Sequence, residues 1–161
     1  MRKIAILRKE RRLTLDQCAW VLGISRQHLI AYEHEERAFD YSGLIILINA
    51  AKLFGVKLWH VVDDENACET LRQYAKMKEM LTGFEETEWA RIKLMRNCRN
   101  MSQTELAKAI GTKQSTISLW ECGGYGGARL NTVLKLCSAL SCHPCDVIDD
   151  PMLRNSLRRV L

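Results

Sequence analysis

The sequence carries one short pattern twice, and this repeat limits the folds that are open to the chain. LDQCAWVLGISRQHLIAYE at 15–33 and QTELAKAIGTKQSTISLWE at 103–121 place alanine, glycine and glutamate at matching positions. The matched pairs, each 88 positions apart, are Ala19/Ala107, Gly23/Gly111 and Glu33/Glu121. In a chain of 161 residues, such a repeat predicts two small domains rather than one larger one.

Each copy opens with the signature of a helix start. Thr14 with Gln17, and Ser102 with Glu105, have the spacing of capping boxes. In this motif the hydroxyl accepts a backbone N–H, and the Gln or Glu side chain reaches back to the cap residue. The glycine of each copy then suits a left-handed residue that ends the helix and turns the chain into a second one.

The repeat continues beyond these helices and predicts an all-α protein. Residues 44–64 correspond to 130–150, now offset by 86, and both segments end in a pair of aspartates. The sequence has only two prolines and no clear strand alternation. With leading helices at 2–12 and 87–99, we expect two five-helix bundles.

These patterns define four segments along the chain. We expect an N-terminal domain at 1–64, a helical linker at 65–86, a C-terminal domain at 87–150 and an amphipathic tail helix at 151–161. Strong helix formers over 65–83 suggest the connecting helix. In the tail, the i, i+4 spacing of Leu153, Leu157 and Leu161 predicts an apolar stripe, with Arg154 and Arg158 on the opposite face.

Composition and charge restrict the class of partner. Hydrophobic residues at 47% and charged residues at 27% are values of a globular protein. The longest apolar run, at 44–51, is too short to cross a bilayer, and the basic first residues do not resemble a signal peptide. We therefore expect a cytoplasmic protein with no membrane partner.

The positive charge is concentrated in the second half of the chain. Residues 88–161 include eleven basic and six acidic residues, whereas residues 1–64 include ten basic and eight acidic residues. This imbalance favours an anionic partner such as nucleic acid, although a solvated charged surface has the same composition.

The seven cysteines are expected to be reduced and mostly buried, because Cys18, Cys98 and Cys137 occupy apolar positions of helical patterns. The CHPC stretch at 142–145 lacks a second cysteine pair at zinc spacing, so it is a weak metal or redox signal. We expect no metal and no cofactor. The sequence offers no arrangement of catalytic residues, and an enzyme is not expected.

The two copies resemble the lambda-repressor and Cro family, the XRE-type helix-turn-helix proteins. The resemblance is specific in SQTELAKAIGTKQSTISLWECG, residues 102–123, and looser in the first copy. It implies sequence-specific binding of double-stranded DNA, with the second helix of the motif in the major groove. The chain is then expected to be a bacterial, phage or mobile-element transcription regulator, associated with the nucleoid.

In the second copy, the resemblance implies which side chains contact DNA. Gln114 is expected to read bases, because a carboxamide pairs with the N6 and N7 edge of adenine. The other groove-facing residues are Ser115, Ser118 and Leu119. Phosphate contacts are expected from Gln103, Lys113 and Arg129.

In the first copy, the matching base-reading positions hold Arg26, Gln27, His28 and Ala31, and Arg37 is the expected phosphate contact. Arginine pairs with guanine, so this copy would prefer a different base. However, Leu15 stands where the family has its phosphate-binding glutamine, and the EHEE stretch at 33–36 adds acidic charge.

Those departures leave a second reading open. One bundle, the N-terminal one in particular, could serve as a dimerisation or partner-docking module of an antitoxin-like adaptor. A homodimer and a contact with RNA polymerase are the corresponding partners. Both readings remain hypotheses from the sequence.

Overall fold

The computed structural model of the protein describes residues 2–34, 43–81, 90–124 and 129–161. Within these ranges the chain forms helices and no β-strand, in agreement with the all-α prediction. The α-helices are α1 Lys3–Glu10, α2 Leu15–Leu22, α3 Arg26–Glu33, α4 Leu44–Phe54, α5 Glu65–Tyr74, α6 Arg91–Cys98, α7 Gln103–Ile110, α8 Gln114–Leu119, α9 Leu130–Leu140 and α10 Pro151–Val160. Among them no helix is long and apolar enough to span a membrane.

The chain divides into two compact units. The first contains Met1–Ala75 with Arg159–Leu161, and the second contains Lys76–Arg158. Each has its own apolar core, formed in the first unit around Leu29 and Leu47 and in the second around Leu106 and Leu136, all fully buried. The residues that face these cores recur at helical spacing, so burial of one stripe per helix holds each unit together.

The capping boxes predicted for both copies are present. The Thr14 hydroxyl accepts from the Gln17 backbone N–H at 3.2 Å, and the Gln17 side chain accepts the Thr14 N–H at 2.9 Å. Ser102 and Glu105 repeat this exchange at 3.1 and 2.7 Å. Each box satisfies backbone donors that a helix start leaves without partners.

The glycine that follows each of these helices has the left-handed conformation that the sequence predicts. Gly23 has φ 70° and Gly111 has φ 71°. A residue with a Cβ atom is strained in this region, whereas glycine is not. Each glycine therefore ends its helix and directs the chain into the next one.

Two helical expectations differ from the structure. The connecting helix expected over 65–83 is shorter in the structure, where α5 ends at Tyr74. Three of its side chains, Cys68, Leu71 and Tyr74, are buried. The matching segments 44–64 and 130–150 each contain one α-helix followed by a 3-10 turn, Leu58–His60 or Pro144–Val147, in place of the fifth helix expected for each bundle.

The predicted polar face of the tail helix is wrong at Arg154. This side chain is 0% exposed and donates to the backbone oxygens of Ile148 at 2.9 Å and Asp149 at 3.1 Å. Burial of a guanidinium is tolerated because carbonyl groups accept its hydrogen bonds. The helical periodicity of the tail could not reveal these acceptors, since they precede α10.

The cysteines are all free thiols, and five of the seven are buried. Cys18 and Cys137 are buried as expected, but Cys98 is exposed at the end of α6. Burial raises the pKa of the Cys18 thiol to about 11, so this side chain behaves as a small apolar group of the core.

Candidate nucleic-acid interface

Helices α7 and α8 pack through an apolar seam and leave one polar edge of α8 outside it. Leu106, Ala107 and Ile117 are buried in the seam. On the other side of α8, Gln114, Ser115 and Leu119 are exposed and Ser118 is half-buried. Four of the residues expected to face a DNA groove thus lie on the solvent-accessible part of one helix.

Gln114, the first residue of α8, is held by Gln103, the first residue of α7. The Gln114 Nε2 atom donates to Gln103 Oε1 at 2.6 Å. Gln103 Nε2 in turn donates to Glu121 Oε2 at 2.8 Å. The structure therefore brings the predicted base reader and the predicted phosphate contact into direct contact.

Arg96 completes this chain of hydrogen bonds. Its guanidinium donates to both carboxylate oxygens of Glu121, at 2.6 and 3.0 Å, and to the Met101 carbonyl at 2.6 Å. The side chain of Glu121 is only 3% exposed. We call the connected residues Arg96, Glu121, Gln103 and Gln114 the relay.

The electrostatics of the relay favour the ionised pair. Burial alone would raise the pKa of Glu121, but hydrogen bonds from Arg96 and Gln103 outweigh it, and the pKa is lowered. The Glu121 carboxylate likewise raises the pKa of Arg96. Fixed charges at the base of the relay hold Gln103 in one orientation, and Gln103 orients Gln114.

The relay leaves hydrogen-bonding capacity on both glutamines. A primary amide has two N–H donors and one oxygen, and Gln114 uses one donor towards Gln103. Its other N–H and its oxygen are the two groups that a bidentate contact with adenine requires. Gln103 similarly has a second N–H, at a helix start where the backbone dipole favours an anion.

Two further cations expected to contact phosphates are exposed. Lys113 is the N-cap of α8 and lies next to Gln114. Arg129 is the N-cap of α9. Both positions precede a helix start, which is where phosphate oxygens are favoured.

The corresponding edge of the first unit has different chemistry. Arg26, Gln27 and His28 are exposed at the start of α3, and Ala31 is half-buried. Leu15 at the start of α2 has no amide, so the glutamine relay of α7 and α8 has no counterpart at this position. Arg37, the expected phosphate contact of this unit, lies outside the described residues.

Arg26 is instead paired with an acid on α2. Its Nε atom lies 3.7 Å from Asp16 Oδ1, and the two side chains are 59% and 74% exposed. An ion pair this exposed contributes little to stability. It nevertheless places a carboxylate beside the side chain that was expected to read guanine.

Below these edges, both units contain the same half-buried ion pair. Arg8 donates to the two oxygens of Glu33 at 2.6 and 2.8 Å and to the Leu13 carbonyl at 2.8 Å. Both partner residues lie 88 positions before those of Arg96. Neither pair is among the residues expected from the sequence, although the recurrence of arginine at positions 8 and 96 is a signal for both.

The first unit also has a pocket beside this pair, with a volume of about 440 Å³. Apolar and charged side chains share its lining, which consists of Ala5, Arg8, Lys9, Leu15, Ile30, Glu33 and His34. Leu15 thus lines the pocket at the position where Gln103 of the second unit reaches Glu121.

Comparisons with known proteins find matches for part of the chain. The family model of the Cro/C1-type HTH DNA-binding domain matches residues 91–151. The chain is also similar to YozG of Bacillus subtilis (strain 168), an uncharacterised HTH-type transcriptional regulator, with 35% identity over 51 residues. That alignment covers 32% of this chain and 61% of the relative, so it spans less than two thirds of either.

No solved structure matches the chain. The family and the relative both belong to a class of DNA-binding regulators that are not enzymes. Residues 91–151, which carry the relay and the exposed edge of α8, form a Cro/C1-type HTH DNA-binding domain.

Proposed function

We propose that the protein is a sequence-specific, double-stranded DNA-binding transcription regulator of a bacterium, phage or mobile element. The observation that carries the proposal is the relay, which presents Gln114 in a fixed orientation at the exposed start of α8. It lies within a domain whose family binds DNA. Exposed glutamines without such support have many rotamers, and fixing one reduces the entropy lost on binding.

In this proposal α8 enters the major groove and Gln114 reads adenine. Leu119, which is 60% exposed, offers an apolar contact to a thymine methyl group, and Ser115 and Ser118 add short hydrogen-bonding groups. Gln103, Lys113 and Arg129 contact the flanking phosphates and fix the position of the domain on the duplex.

The test is selection of random duplexes by the full-length protein, followed by affinity measurements on the enriched site at about 0.15 M salt. Gln114→Ala should weaken binding by roughly 1–3 kcal/mol, a loss on the order of tenfold to a hundredfold, because one base contact is removed. Gln73→Ala is the matched control, since it removes an exposed glutamine from α5.

Two outcomes would contradict the proposal. Absence of any enriched sequence would argue against specific DNA binding. Equal affinities of wild type and Gln114→Ala for an enriched site would show that another surface reads the bases.

The finer proposal is that the first unit is a second, tandem domain of the same kind. The recurring capping box, left-handed glycine and Arg–Glu pair support it, because each occurs at the same offset of 88 in both units. Two such domains in one chain would bind half-sites in two major grooves roughly 34 Å apart. Their linkage would raise the effective concentration of the second reader.

Unlike reading residues then predict unlike half-sites. Repeating the selection with Arg26→Gln should change the preferred base in one half-site and leave the other intact. An unchanged site would contradict base reading by the first unit.

A second candidate function, docking of a protein partner by the first unit, is favoured by the surface of α2. Trp20 is 84% exposed there, and exposed tryptophans are enriched among the residues that dominate protein interfaces. Leu15 also replaces the amide that a DNA-reading copy would use. A homodimer formed this way would present two α8 helices, so the selection would enrich a palindrome. RNA polymerase is the other partner to test by direct binding.

A further inference from the structure

Three potential metal ligands meet in the second unit, away from α8. One donor atom from each of Glu79, His143 and Cys145 lies within 4.8 Å of the other two. His143 and Cys145 are buried, and Glu79 is half-buried. A carboxylate, an imidazole and a thiol are all ligand types used for zinc in proteins.

The fold brings these residues together through Asp146. This carboxylate, which is 0% exposed, accepts the backbone N–H groups of Met80 at 3.0 Å, Leu81 at 2.8 Å and His143 at 3.1 Å. It thereby holds the segment that contains Glu79 against the turn that contains His143 and Cys145. The arrangement joins residues more than 60 positions apart.

Arg158 fixes the orientation of the Glu79 carboxylate. Its guanidinium donates to the two oxygens at 2.7 and 2.6 Å and lowers the pKa of Glu79. An ionised carboxylate has about four acceptor sites. Besides the two bonds from Arg158, Glu79 accepts a hydrogen bond from the Cys145 thiol, and a metal ion would take the place of that thiol proton. Carboxylates that bind metal ions are commonly held in place by hydrogen bonds of this kind.

We propose that Glu79, His143 and Cys145 bind one zinc ion, with water at the fourth position. Tetrahedral coordination with bonds of about 2.0–2.3 Å sets neighbouring donors roughly 3.5 Å apart. The present limit of 4.8 Å therefore requires only a small closure of the cluster. Zinc suits the mixture of soft and hard donors better than magnesium or calcium, which prefer oxygen alone.

Binding exchanges protons and hydrogen bonds in a defined way. The Cys145 thiol gives up its proton when the sulfur coordinates zinc, so binding releases one proton. His143 Nδ1 accepts the Cys145 backbone N–H at 3.1 Å. Coordination through either ring nitrogen requires this bond to be exchanged, because a neutral imidazole has only one lone pair for an acceptor role.

The proposal changes the meaning of the CHPC stretch. Its first cysteine, Cys142, hydrogen-bonds with the buried thiol of Cys137, whereas its second cysteine lies beside Glu79. The stretch contributes His143 and Cys145, and the third ligand comes from the segment before α6. Zinc would therefore attach that segment to the DNA-binding domain.

Titration of the full-length, metal-free protein with Co²⁺ tests this site directly. Co²⁺ replaces zinc in such sites, and a thiolate ligand gives it a charge-transfer absorption band. We expect a band that saturates near one equivalent, is removed by excess zinc, and is lost in Cys145→Ser. Glu79→Gln should weaken Co²⁺ binding by at least about tenfold, because it removes a charged ligand. Losses of this size already occur when a group that only supports a ligand is removed.

Cys98→Ser is the matched control, since Cys98 is an exposed thiol of the same unit, and it should leave the band unchanged. Circular dichroism would establish that each variant is folded. If Cys145→Ser does not fold, Glu79→Gln decides alone, because Glu79 is not part of the buried core. No band in the wild type, a band that survives in Cys145→Ser, or unchanged affinity in Glu79→Gln would overturn the proposal. The result is independent of DNA binding.

Discussion

Helices α2 and α3 of the first unit and α7 and α8 of the second share their supporting contacts but differ at their exposed starts. In both units an arginine binds a buried glutamate 25 positions later with two hydrogen bonds. At the surface of the second unit, Gln103 and Gln114 bind each other. The corresponding positions of the first unit hold Leu15 and Arg26, and Arg26 lies beside Asp16.

The difference separates what holds the helix pair from what the pair presents. Caps, the left-handed glycine and the Arg–Glu pair fix backbone geometry, and all of them recur in both units. They are retained although the first side chain of each helix differs between the units. A repeated unit can therefore retain its structure while its exposed edge acquires other chemistry.

The largest effect is expected from removing the arginine of the Arg–Glu pair. Arg96→Met should destabilise the second unit by about 3 kcal/mol, because it leaves the Glu121 carboxylate buried without its cation. Arg8→Met should have a similar effect in the first unit. Hydrogen exchange followed by mass spectrometry would measure each unit separately. A large loss in only one unit would mean that the two pairs are not equivalent supports.

The pH dependence gives an independent check on this prediction. The folded-state pKa of Glu121 is lowered, so its contribution is present above the unfolded carboxylate value of about 4.3 and is lost as the pH falls through the folded value. The difference in the free energy of unfolding between wild type and Arg96→Met should therefore become smaller in that acidic range. If the difference does not change with pH, the loss of stability comes from packing and not from the charge of Glu121.

A smaller effect is expected when the second unit receives the residue of the first. Gln103→Leu removes the amide that orients Gln114, and we expect about a tenfold loss of DNA affinity, or ~1.4 kcal/mol. Gln73→Leu is the control. Fluorescence anisotropy should compare the selected duplex with one in which the adenine is replaced. Equal losses on both duplexes would show that Gln103 acts only on phosphate.

The smallest effect is expected at the exposed pair of the first unit. Asp16→Asn should change stability by less than about 0.5 kcal/mol, because the ion pair is solvated. It should nevertheless strengthen DNA binding by roughly threefold at low salt if Arg26 reads DNA, since a nearby negative charge is removed. Glu69→Gln on α5 is the charge-matched control. An equal gain in both variants would indicate only a change in net charge.

Local sequence patterns predicted the local structure well. Thr14 and Ser102 form their capping boxes, and Gly23 and Gly111 adopt positive φ, because these features depend on residues within one helical turn. The exposed residues of α8 were expected from the resemblance to the XRE-type helix-turn-helix proteins, and Gln114, Ser115 and Leu119 are exposed. Contacts within a few positions are encoded by spacing, so a single sequence is enough to find them.

The contacts between distant residues could not be predicted in this way. Two of the hydrogen bonds to Asp146, from Met80 and Leu81, join segments more than 60 positions apart. The Arg158–Glu79 pair does the same. Helical spacing predicts a polar face for Arg154. The carbonyl groups that accept its hydrogen bonds lie outside its own helix, so this spacing carries no sign of them. Such contacts arise only when the packed chain brings the groups together.

The hydrogen bonds to Asp146 also determine where the second unit can be cut from the chain. The family match begins at residue 91, but Met80 and Leu81 supply two of the three backbone donors to this fully buried carboxylate. A fragment that starts at 91 would bury the Asp146 carboxylate without two of its hydrogen-bond donors, and its free energy of unfolding would be lower. A fragment that keeps these hydrogen bonds therefore has to begin before Met80, ahead of the segment that the family model matches.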